Sequence, residues 1–163
     1  MRLFWVKDRE APVQRLPTDA SYEYYTDVRF KALSQRENSA FGSCPFDVEI
    51  LYQFWSHFLV RNFNTSMYDE FRRLAFEDFS ERMSDVGLQN LIKFYSESLH
   101  SQTMIRERVA RHFVDLVRLE SSQTDRPAFK KLRSAWRNGA LSLKNRKKIS
   151  VFIDQDLREA LER

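Results

Sequence analysis

Two sets of side chains in this chain have the types and spacing to act on something outside it. The first is a polar stripe that occurs twice: Gln53, His57 and Val60 return forty residues later as Lys93, Glu97 and His100. At about 100° per residue each trio lies opposite an apolar stripe. That stripe is Leu51, Phe54, Trp55, Phe58 and Leu59 in the first copy and Leu91, Phe94, Tyr95 and Leu99 in the second. Side by side, two such helices would line one groove with two imidazoles, an amine and a carboxylate. Taken singly, each of these residues is better explained as solvated surface, and Val60 is the apolar member that hints at a contact.

The second set is a run of nine cations, Arg126, Lys130, Lys131, Arg133, Arg137, Lys144, Arg146, Lys147 and Lys148, with no Asp or Glu among them. The net charge is +4, yet residues 1–121 carry 16 Lys and Arg against 18 Asp and Glu, so the positive excess lies in the last quarter. A concentrated basic field favours a polyanion, and contacts to several phosphates would weaken steeply with salt. An acidic protein partner would satisfy the same charge. A grooved repeat scaffold suits a single strand of RNA better than a duplex.

Catalysis has no comparable support. His57, His100 and His112 fall in different helices without an HExxH pair, and the glycines at 42, 87 and 139 stand singly, so no P-loop or GxGxxG can be built. Cys44 is the lone cysteine, which excludes an internal disulfide and a thiolate zinc site. No enzyme activity, cofactor or metal is expected.

The elements that must carry the two sets follow from composition and periodicity. Hydrophobic residues make up 42% and aromatics 14%, enough for a dense core, while only three Gly and four Pro argue against a turn-rich β architecture. The expectation is an all-α fold in one domain, residues 22–163, behind an extended N-terminal arm, residues 1–21, which could lie across a groove. No signal peptide or membrane span is apparent, which points to a cytoplasmic protein or a fragment of one; a monomer is expected. A first helix is expected over Tyr22–Arg36, with Tyr25, Val28, Phe30, Ala32 and Leu33 as apolar contacts. The central helix follows, with Asp47 as its N-cap. Ser66 is expected to cap its partner, in which Met67, Phe71, Leu74, Ala75 and Phe79 face inward. Ser84 or Asp85 opens the second unit, whose partner helix spans about Thr103–Leu119. After a loop at Ser121–Asp125, Pro127 starts a third unit with Phe129, Leu132, Ser134 and Trp136, whose companion is broken at Asn138-Gly139. Ile153 or Asp154 opens a short closing helix. Units of about 47–80, 85–120 and 127–149, closed by about 150–162, describe a short HEAT-like solenoid.

The segments LYQFWSHFLVRNFN, MYDEFRRLAFED and VGLQNLIKFYSESL resemble successive helices of the C-terminal tandem-repeat region of the La-related protein 1 family, and Arg29–Gly42 and Asp154–Leu161 resemble its leading and closing segments. The resemblance implies a HEAT-like fold and a cytoplasmic RNA-binding role. In that family the region recognises the 7-methylguanosine cap and first nucleotides of oligopyrimidine-tract messages and represses their translation. The family places arginine where this chain has Gln53 and Val60, an aromatic at His57, arginine at Lys93, a stacking tyrosine at Glu97, a guanine-reading glutamate at His100 and a further tyrosine at Asn138. A cationic methylated guanine is held by stacked rings and a carboxylate, and here imidazoles and Glu97 are what these places offer. The resemblance thus implies a retained scaffold with a rewritten pocket. A basic third repeat, with Lys93, would take over contact with RNA. A protein-interaction module docking a peptide of a translation-factor or signalling partner is the alternative.

Overall fold

The computed structural model describes residues 2–5, 21–120 and 125–163, with side chains for 24–120 and 125–163. Arg2–Trp5 (β1) and Ser21–Tyr24 (β2) form a two-stranded antiparallel ribbon with Leu3 opposite Glu23. The expected start of the first helix at Tyr22 is therefore corrected. Ser21–Tyr24 alternates aromatic with small or charged residues, suits an extended backbone, and is taken up by β1. The connecting residues 6–20, on which the docking of the arm depends, lie outside the described residues, as do residues 121–124 of the expected loop.

Among the described residues every other regular element is helical: α1 (Tyr25–Glu37), α2 (Phe46–Arg61), α3 (Thr65–Glu81), α4 (Val86–His100), α5 (Glu107–Leu119), α6 (Pro127–Arg137), α7 (Leu143–Ser150) and α8 (Gln155–Glu162). Their contacts sort them into two layers. In one row α2 packs on α4, α4 on α6 and α6 on α8. In the other, α1 is tied to α3 by Arg29–Glu70 at 2.7 Å and Arg36–Asp78 at 2.8 Å, α3 to α5 by Arg108–Asp69, and α5 packs on α7. Even-numbered and odd-numbered helices thus form opposite faces of a HEAT-type stack, in which each helix covers its apolar stripe with its neighbours.

The core runs between the layers as a chain of rings. Trp55 stacks on Phe71 at 5.5 Å and Tyr95 on Phe113 at 5.4 Å, while Phe71 meets Phe94 at 6.2 Å. Each such pair is worth about 0.5–1.5 kcal/mol beyond the area it removes from water. The buried face of α2 is rotated from the expected stripe: Tyr52 and Ser56 are buried, while Phe54 and Phe58 are half-buried and stack on each other at 5.0 Å. Phe30, 71% exposed, and Phe79, 53% exposed, do not join the core, because Val28, Ala32, Leu74 and Ala75 already fill the inward positions of α1 and α3.

Three helix starts also depart from expectation. Pro45, not Asp47, occupies the N-cap position of α2, and Asp47 instead accepts a hydrogen bond from Gln35 at 2.5 Å. Asn64 displaces Ser66 as the cap of α3 because its extended backbone lets its side chain accept from the Met67 N–H at 3.1 Å. The second unit's partner helix starts at Glu107 because Thr103 and Ile105 are held by a side chain of α7. Asp85 sits at the N-cap position of α4, and Pro127 opens α6. The Asn138-Gly139 turn shortens the companion helix without erasing it: Ser142 accepts from the Asn145 N–H at 3.2 Å and starts α7. Asp154 caps α8 by accepting from the Leu157 N–H at 2.8 Å.

Candidate functional site

The double polar stripe lies on the even-numbered layer. On α2, His57 is exposed and Gln53 and Val60 are half-buried, Val60 packing against the core; on α4, Lys93 and His100 are exposed and Glu97 is half-buried. Among the described residues the side chains of His57, Lys93, Glu97 and His100 have no hydrogen-bond or ion-pair partner. Asn138 stands apart at the end of α6, where its side chain accepts from the Ala140 N–H at 2.9 Å and shapes the turn toward α7.

What fixes the distance between α2 and α4 is buried beneath the stripe. Tyr52 donates its hydroxyl to Asp78, which is buried and also takes Arg36 Nε at 2.8 Å. Tyr52 reaches that carboxylate across Gly87, where an added Cβ would lie 2.5 Å from Tyr52 Cζ. Burial and the Asp78 carboxylate together push the Tyr52 phenol well above its ordinary range, so it stays a donor.

The next junction is also polar. Tyr95 and Tyr68 hydroxyls are 2.8 Å apart, and Tyr68 Oη lies 2.6 Å from His112 Nδ1. Burial, reinforced by Arg72, Arg108 and Arg111, lowers His112 to about 4. The neutral ring can therefore accept the Tyr68 proton, leaving the Tyr68 oxygen to accept from Tyr95. Burial likewise raises Tyr95, to about 12, although the charge of Arg72 offsets part of this.

The nine cations divide into two groups. Lys130, Arg133 and Arg137 fall on the side of α6 away from its buried Ala128, Leu132, Ala135 and Trp136. Of these, Lys130 pairs with Asp125 at 2.5 Å, and Arg133 and Arg137 both donate to the Arg163 main-chain oxygen. Arg146 donates to the Trp136 carbonyl at 2.7 Å with its guanidinium 4.1 Å from the indole, which ties α7 to the end of α6. Arg126 lies 3.8 Å over the Phe129 ring. Lys131, Lys144, Lys147 and Lys148 have no such partner among the described residues.

Sequence reasoning missed the residue that positions this basic surface. Asn145 is fully buried; its amide donates to the carbonyls of Leu99 at 2.9 Å, Ser101 at 3.0 Å and Thr103 at 3.3 Å, and its oxygen accepts from the Ile105 N–H at 2.7 Å. The signal was present: Asn145 and Ile149, four apart, define the side of α7 that carries no cation. Glu120 was missed too; it accepts from the Ala128 and Phe129 N–H groups at 2.8 Å each and caps α6 from outside.

No helix among the described residues is long and apolar enough to cross a membrane. A family model described as the LARP1 HEAT repeat region matches residues 16–163.

Proposed function

The chain belongs to the LARP1 HEAT repeat family, and from that membership we propose that it is an RNA-binding module acting in translational control or message stability, which grips RNA by its phosphate backbone. The observation that carries this reading is the group of lysines on α6 and α7, Lys131, Lys144, Lys147 and Lys148, which have no internal partner among the described residues and stand in a stretch without acids. Charges already paired inside a protein contribute little to a ligand, whereas these four can each meet a phosphate. Lys93 on α4 extends the same field. The polar stripe supports the other half of the reading. It supplies imidazole, carboxylate and amide at His57, Glu97, His100 and Gln53, but no exposed indole or phenol to sandwich a methylated guanine. In this proposal the protein works as a cytoplasmic monomer near message 5′ ends without reading the cap.

Titration with one short pyrimidine-rich RNA, capped and uncapped, at 50 and 200 mM salt tests both halves. Four phosphate contacts on a single strand give a logarithmic salt slope of about −3 and a loss on the order of fifty-fold between those conditions. Equal affinity for the two RNAs is expected. Reversing Lys131, Lys144, Lys147 and Lys148 to glutamate should abolish binding while the fold is retained. Arg146 is a poor choice for that test, because its loss would also release Trp136. Markedly tighter binding of the capped RNA would overturn the backbone reading and assign a new pocket to His57, Glu97 and His100.

A further inference from the structure

The odd-numbered layer carries a second surface, remote in kind from the basic one. A cleft of about 460 Å³ lies between α3 and α5; α3 lends it Asp69, Arg72, Phe76 and Glu77, and α5 lends it Arg108 and Leu119. From Arg108 to Leu119 it follows α5 for about 16 Å, some three helical turns. Its two ends differ. Near Arg108 it is charged; toward Leu119, 70% exposed, the hydrocarbon of Phe76 and Leu119 stands beside Glu77 and Ser80.

We propose that this cleft docks a short amphipathic peptide segment of a partner protein, with a carboxylate seated on Arg72 and apolar side chains, about one helical turn away, on Phe76 and Leu119. This goes beyond the RNA reading and does not depend on it. The argument is one of charge complementarity. Of the cleft's arginines, Arg108 is paired with Asp69 and Arg73 with Glu77 at 3.1 Å, so their charges are answered within the protein. Arg72 has no carboxylate partner among the described residues; its guanidinium lies 5.0 Å from the Phe76 ring and its Nε is buried without a hydrogen-bond acceptor. A surplus of one positive charge suits one carboxylate. An RNA backbone would have to pass Asp69 and Glu77 and lay phosphates on hydrocarbon, which costs desolvation without return.

Outside the cleft, Phe41, Phe79, Met83 and Val151, at or just past the ends of α1, α3 and α7, are each more than half exposed. The Gly42 N–H to Arg82 carbonyl bond at 2.8 Å joins the ends of α1 and α3, and Arg118 donating to the Phe152 carbonyl at 2.6 Å joins those of α5 and α7.

The test is a twelve-residue peptide display library panned on the intact protein, with and without the pyrimidine RNA. Enriched peptides should carry Asp or Glu one helical turn from Leu, Phe or Met. Their affinity should fall at least tenfold in Arg72→Gln and in Leu119→Glu, remain largely intact in Arg72→Lys, and stay unchanged when the four α6 and α7 lysines are reversed. Leu119 is exposed, so its variant folds and keeps the test decisive if Arg72→Gln does not. No enrichment, or peptides that bind Arg72→Gln and Leu119→Glu as tightly as the native protein, would overturn the proposal; so would cross-linking of RNA to α3 and α5.

Discussion

At the scale of single residues, the polar groups beneath the surface decide more than those on it. His112 is neutral in the folded protein down to about pH 4, whereas the unfolded chain takes up its proton near 6.5. Between those values the unfolded state binds more protons, so stability falls as pH falls. Urea midpoints measured from pH 7 to 4 should decline, and His112→Gln should remove about 1–2 kcal/mol of that decline, a figure reduced for solvent around the half-buried ring. Glu77, whose arginine partners hold its carboxyl below the ordinary range, titrates in both proteins and cancels in the comparison. Gly87 is a second such position. An alanine there gains helix propensity but must push Tyr52 off Asp78, so Gly87→Ala is expected to destabilise by about 2–3 kcal/mol in chemical denaturation despite the better helix former. Neither residue stood out in the sequence: a lone histidine and a glycine near a helix start acquire these roles only through partners 44 and 35 positions away.

At the scale of elements, the helices were legible because their apolar periodicity is strong, and their ends were not because caps depend on neighbours. Asn64 and Ser66 are equally good caps on paper; the extended backbone at Asn64 decides between them. The inward stripe of α2 was displaced because pattern alone cannot say which flank meets the next helix, and it is the close approach at Gly87 that draws Tyr52 and Ser56 inside. The basic stretch was legible as charge but not as structure, since no pattern distinguishes Arg146, spent on Trp136, from Lys147, which is not. Asn145 is the sharpest case. Asn145→Ala leaves three carbonyls and one N–H of the α4–α5 connection without partners, and should cost about 2–4 kcal/mol by thermal or urea melting. Asn145→Asp should be no rescue, because it removes the three donated bonds and buries a charge.

At the scale of the whole molecule, two layers tied by contacts at about forty-residue separation make a body whose stability is graded. Helices in the middle of each row are covered on both sides, while α1, α2, α7 and α8 each have a single neighbour in their row. Native-state hydrogen exchange should therefore find the slowest amides in α3 and α4 and the fastest in α8 and α1. One amide should depart from that gradient: Ile105, which precedes α5, is expected to exchange with α7, and Asn145→Ala should release it. Uniform protection from end to end would contradict the layered account. The forty-residue recurrence foretold the stack, but it did not foretell a clasp reaching back 46 positions from Asn145 to Leu99. That clasp also sets an order in time. During synthesis the turn between α4 and α5 leaves the ribosome with its carbonyls open and must wait for more than forty further residues before the side chain that closes it emerges in turn. At about 5–20 residues per second that wait lasts several seconds, a window in which the nascent turn offers its acceptors to any chaperone that binds exposed backbone.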